Sequence, residues 1–103
     1  ALRLAAASRA QLIYVASHDS IELGEDGPTH QPVEVLAACR AVPNLLTLRP
    51  ADGTETVGAY EIAVQSTNRP SLIALCRSGA PHLEGASRAG CARGGYVLSD
   101  FDP

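Results

Sequence analysis

A chain of 103 residues with a formal net charge of −3 has room for one modest hydrophobic core and no more than one domain. Its acidic and basic residues are interspersed, which excludes recognition by whole-surface attraction to duplex nucleic acid or to an anionic membrane. No apolar run approaches the roughly 20 residues of a membrane-spanning helix, and the N-terminal stretch Ala1 to Ala7 is too short to read as a signal peptide.

The three cysteines, Cys39, Cys76 and Cys91, lack CxxC spacing, and two of them sit inside apolar runs. They read as buried, reduced thiols of a cytoplasmic chain rather than as a disulfide framework or a zinc site. The chain has no methionine, even at position 1, so it reads as a processed product or a piece of something longer.

Residues 1–7 read as the tail of an alanine-rich helix with no capping residue before it. Gln11 to Ala16 is a nearly continuous apolar run, the pattern of a strand buried on both faces of a parallel sheet, and His18 follows at its C-terminal end. Residues 24–34, Gly-Glu-Asp-Gly-Pro-Thr-His-Gln-Pro-Val-Glu, then combine glycines and prolines with carboxylates and a histidine. Such a loop is held rigid while its polar side chains face a ligand.

From Gln31 to Ala41 the spacing of Val33, Leu36, Ala37 and Cys39 predicts a helix, with Thr29 as N-cap and Pro32 in the first turn. Val42-Pro43-Asn44 breaks it, and Leu45 to Pro50 reads as a second strand. Asp52-Gly53-Thr54-Glu55 offers caps for a helix from Glu55 to Gln65, with Val57, Tyr60, Ile62 and Val64 among its apolar positions. Ser71 to Cys76 is a third buried-type strand, with Arg77 at its end. Residues 78–95 lack periodicity and read as a loop or connector, and Tyr96 to Leu98 as a last short strand.

Strand, helix, strand, helix, strand implies right-handed crossovers and a parallel α/β sheet. Ligands of open α/β sheets bind beyond the carboxyl ends of the strands. His18 and Arg77 fall there, and the loop carrying Asp26 and His30 leaves from the same edge. Two histidines, an arginine and an aspartate on one rim suit a small polar substrate, including one that carries a phosphate.

His18-Asp19-Ser20-Ile21, the loop from Gly24 to Glu34, Arg40, Pro43-Asn44, Arg49-Pro50-Ala51-Asp52-Gly53, Arg77 and Gly94-Gly95-Tyr96-Val97 together resemble transketolase over essentially the whole chain. The likeness falls in the second half of that family's central pyrimidine-binding domain, here residues 1–77, and runs into the connector toward the third domain, here 78–103. It implies a doubly wound, thiamine diphosphate-binding fold. It also implies transfer of a two-carbon ketol unit from a ketose phosphate to an aldose phosphate in the pentose phosphate pathway, with thiamine diphosphate and a divalent metal, Mg or Ca, in a cytoplasmic homodimer.

By the same resemblance His30 matches the histidine near the cofactor's reactive carbon that bonds donor hydroxyls. Asp26 matches the aspartate that reads hydroxyl stereochemistry, and His18 and Arg77 match residues that bind the substrate phosphate. A planar guanidinium suits phosphate oxygens, and imidazoles orient hydroxyls and move protons near neutral pH, while the cofactor carries the bond-breaking. The family's catalytic glutamate and aromatic pocket would precede position 1, and its diphosphate and metal ligands belong to another domain. No cofactor or metal ligand is therefore assigned to these residues. Glu22 stands where the family usually has glycine, and Ser78-Gly79-Ala80 replaces its polar and bulkier residues. Two alternatives accompany this reading: dihydroxyacetone synthase, a relative using formaldehyde as acceptor, and an isolated fragment without activity.

Without the resemblance, His30 would read as a capping or loop histidine, Asp26 as a turn carboxylate and Arg77 as a surface arginine. Asp19 reads as a structural loop residue, His82 as solvent-facing, and Arg88 and Arg93 as solvated linker charges. Gly27 and Gly53 read as turn glycines.

Overall fold

The computed structural model describes residues 1–31 and 33–100. Its elements in order are α1 (Leu2–Ala7), β1 (Ile13–Ala16), α2 (Val35–Arg40), β2 (Leu46–Leu48), α3 (Gly53–Gln65), β3 (Ser71–Ala74) and α4 (Arg88–Ala92). The three strands form one parallel sheet in the order β1-β3-β2, with Ala16 level with Ala74 and Leu48 level with Ile73. The predicted parallel α/β architecture is the observed one.

β3 is buried along its whole length because it is the central strand. Ile73, fully buried, meets Ala59 and Ala63 of α3, with Leu48 and Leu75 packed around them. Ala59 and Ala63 are one helical turn apart, so they share a face; their small side chains let α3 lie close on the sheet. β1 departs from expectation. It is an edge strand, paired among the described residues with β3 alone, and Ile13 and Val15 are 38% and 52% exposed. Its continuous apolar run reports a surface suited to cover, not one covered within these residues.

Element ends also shift. α2 begins at Val35, four residues later than predicted, with Glu34 rather than Thr29 at the N-cap and no side-chain cap bond. Thr29 instead spends its hydroxyl on His30, and Pro32 lies outside the described residues. α3 begins at Gly53, which opens the helix rather than turning ahead of it; Asp52 caps it by accepting from the Glu55 N–H at 2.8 Å. Residues 78–95 are not all loop, since Ser87 caps the short helix α4, accepting from Gly90 N–H at 3.0 Å.

α4 lies against α3 at Gly58, where an added Cβ would come within 3.2 Å of the Arg88 Cα. Tyr96, predicted as strand, instead donates its hydroxyl to Glu55 Oε1 at 2.6 Å and accepts from Ser87 N–H at 2.8 Å. All three cysteines are free; Cys39 is buried and the other two are only partly so.

Candidate functional site

The site begins with a defect in the sheet. Ser71 N–H donates to Leu12 O at 2.8 Å and Leu75 N–H to Ala16 O at 2.7 Å, so the β1/β3 ladder keeps one offset past the strand ends. The regular parallel pattern would next give Leu75 O to the His18 N–H. Asp19 N–H takes it instead, at 2.9 Å. One extra residue has entered the β1 side, and it is His18, held at φ 74°. A left-handed non-glycine residue costs about 1–2 kcal/mol, and bulges of this kind re-aim side chains beside functional sites. The histidine is thus expelled from the sheet at its C-terminal edge.

Three groups hold that bulge. Beyond the Asp19 amide, Arg49 at the exit of β2 sends Nε to Asp19 Oδ2 at 2.6 Å and Nη2 to Asp19 O at 2.5 Å, while Nη1 donates to Pro50 O at 2.8 Å. On the other side Ser17 Oγ is 2.9 Å from His18 Nδ1. Asp19 is structural, as read from the sequence, but the partner that makes it so is 30 residues away and had no signal in sequence spacing.

The loop that follows is folded on itself. Gly27 (φ 73°) opens a turn closed by His30 N–H donating to Gly27 O at 3.2 Å, with Pro28 at the position where its fixed φ fits. The base is tied by Gln31 Nε2 donating to the carbonyl of the buried Leu23. Asp26 and His30 are both exposed on this turn. His30 Nδ1 lies 3.0 Å from Thr29 Oγ1, repeating the pairing of His18 with Ser17. In each case a neighbouring hydroxyl occupies Nδ1, which leaves Nε2 as the nitrogen able to meet a ligand.

Arg77 follows β3, whose neighbour β1 leads to His18, so the two leave the same sheet edge. Glu22 joins them: hydrogen bonding to Ser78, helped by Ser20 and by the Arg77 charge, holds its carboxyl below the usual range. His18, Arg77 and the start of the loop are thereby gathered at one edge. No hydrogen bond or ion pair among the described residues joins Asp26 or His30 to His18 or Arg77; the shared 20–31 loop is what relates them.

Elsewhere the polar residues are architectural. Buried Asp52 accepts from the Glu55 and Leu83 N–H groups, and these bonds lower its carboxyl below the ordinary value. Exposed His82 stands 3.4 Å from Asp52 Oδ2. Arg88, predicted as a solvated charge, pairs with Glu61 at 2.8 Å. Among the described residues no three His, Cys, Asp or Glu side chains converge as metal ligands would, and no helix is long and apolar enough to cross a membrane.

Comparison with known proteins bears on the same residues. The family described as "Transketolase, pyrimidine binding domain" matches residues 1–81. A chloroplastic transketolase of Craterostigma plantagineum is 60% identical over 100 residues, 97% of this chain and 19% of its own length. A transketolase structure from Leishmania mexicana superposes with a TM-score of 0.91 at 50% identity, and one from Pichia stipitis in complex with sedoheptulose 7-phosphate with 0.89 at 53%; each match covers 97% of this chain and 15% of that one. The chain spans less than a fifth of the length of these relatives.

Proposed function

The chain belongs to the transketolase family, and from that premise we propose that it is the donor-recognition segment of an enzyme moving a two-carbon ketol unit from a ketose phosphate to an aldose phosphate. The observation that carries the proposal is the bulge that turns His18 out of the sheet at the edge where Arg77 also emerges. A cationic fork and an imidazole there form a receptor for the substrate's phosphate. Asp26 and His30, on the adjoining turn, take the other end of the sugar. His30 Nε2 bonds a donor hydroxyl and exchanges its proton, and Asp26 accepts from a hydroxyl and so selects its stereochemistry.

Residues 1–77 form part of the pyrimidine-binding domain and 78–103 the connector. The cofactors are thiamine diphosphate, which supplies the bond-breaking when bound, and a divalent metal, Mg or Ca. Among the described residues no cluster of His, Cys, Asp and Glu would hold the metal. The full-length enzyme is a homodimer. Free cysteines support a reducing compartment, the cytoplasm, although the Craterostigma plantagineum relative is named chloroplastic. The transketolase names of the relatives favour an aldose phosphate over formaldehyde as acceptor.

Arg77→Ala in the full-length enzyme tests the reading. It should raise KM for fructose 6-phosphate far more than for fructose, because phosphate binding is lost; equal effects on both would remove the phosphate role. His30→Ala should lower kcat on the order of 100-fold, as for a positioned acid or base. Unchanged turnover would take His30 out of the chemistry.

A further inference from the structure

Arg49 lies at the exit of β2 and Asp19 at the exit of β1, with β3 between them. Strands sit about 4.8 Å apart, so the two exits begin roughly 10 Å from each other. The gap closes because the bulge carries Asp19 toward β3, where its N–H reaches Leu75 O, and because Arg49 is long enough to meet it. Every nitrogen of the guanidinium has a partner: Nε and Nη2 on the Asp19 carboxylate and carbonyl, Nη1 on Pro50 O. The side chain is 27% exposed and Asp19's is 39% exposed. Its orientation is fully determined, and it grips the residue immediately after His18 by both main chain and side chain.

We propose that Arg49 is a positioning residue for donor binding: by clamping Asp19 it keeps His18 in its left-handed bulge, with the imidazole turned toward the substrate phosphate. This rests on the reading of His18 as a phosphate contact. Arg49 itself spends its donors on protein acceptors and acts only through His18. A lysine could supply the charge but not the simultaneous bonds to carboxylate and carbonyl.

The test uses the full-length enzyme and compares fructose 6-phosphate with fructose as donors. Arg49→Ala should raise KM for the phosphorylated donor about tenfold, the scale of one mispositioned charge-assisted bond, with kcat and the KM for fructose changed less than about twofold. Arg49→Lys should behave nearly as Arg49→Ala does. Asp19→Ala, which leaves β2 intact should the arginine variants fold poorly, should give the same selective rise. Combining Arg49→Ala with His18→Ala should add nothing to His18→Ala alone, because both remove one contact. A selective defect in His18→Ala with none in the Arg49 and Asp19 variants, or effects that multiply, would overturn the positioning role and leave the phosphate reading standing. A His18→Ala enzyme without a selective defect would overturn the phosphate reading and, with it, this one.

Discussion

Gly90→Ala puts the packing of α4 to a quantitative test. A Cβ at Gly90 would lie 2.3, 2.6 and 2.7 Å from Tyr96 Cδ1, Cε1 and Cγ, whereas carbon atoms prefer about 3.5–4.0 Å. The ring would have to retreat by about 1 Å or more. It cannot swing freely, since its hydroxyl is held between Glu55 Oε1 and the Ser87 N–H. Overpacking of this kind costs about 1–3 kcal/mol, and the better helix propensity of alanine returns about 1 kcal/mol. Hydrogen exchange in the full-length protein reads the balance at Arg93 and Gly94, whose N–H groups donate to Gly90 O and Cys91 O. Their exchange should quicken up to about tenfold, the equivalent of some 1.4 kcal/mol of local stability. Adding Tyr96→Ala should cancel the clash and give a favourable coupling in a double-mutant cycle. If Gly90→Ala slows exchange, alanine is acting by propensity alone and the described contact between Gly90 and Tyr96 is wrong.

Three further outcomes follow from the same contacts. The Asp52 carboxyl lies below its ordinary value of 3.8 because Glu55 and Leu83 donate to it, so its contribution is fully present above that value and is lost as pH falls through the lower folded one. Protection of the Glu55 and Leu83 amides should therefore exceed that in Asp52→Asn by a margin that shrinks as pH drops below about 4, and a constant margin would contradict it. Glu22→Gln removes a carboxylate beside Arg77 that is ionised at neutral pH, so KM for fructose 6-phosphate should fall by a few-fold and KM for fructose should hold; a rise would show that Glu22 supports the phosphate site rather than opposing it. The 103-residue chain by itself should show no ketol transfer and should unfold in a concentration-dependent manner, because Val15, Val33, Val57 and Val64 are 52, 96, 49 and 60% exposed. A sharp transition independent of concentration, or measurable turnover, would refute this.

What could be read in the sequence was whatever depends on neighbours along the chain. Apolar runs and breakers mark the three strands and the helices between them, and the rule for open α/β sheets puts His18 and Arg77 at one edge, where the strand register has them. Boundaries were less legible because caps compete: Asp52 captured the start of α3, while Thr29 turned to His30 and left α2 to begin at Val35. α4 was invisible because its five residues give too few turns for a hydrophobic period to register. The exposure of β1 was equally hidden, since hydrophobicity along a strand states what it can bury and not what lies over it.

The bulge at His18 was the least legible feature and matters most to the site. A one-residue insertion into a ladder exists only relative to the partner strand, and here the partner is Leu75, far along the chain. Histidine enters the left-handed region more readily than most residues, but the local cost still runs against it. The conformation is set from outside, by the Leu75 carbonyl and the Arg49 fork acting on Asp19. Local preference and tertiary demand therefore conflict at the residue proposed to meet the substrate, and that conflict is where strain is retained for function. A glycine at 18 would relieve the strain and lose the imidazole; a histidine without Arg49 would keep the imidazole and lose one of the two tertiary contacts that act on Asp19 to hold the bulge.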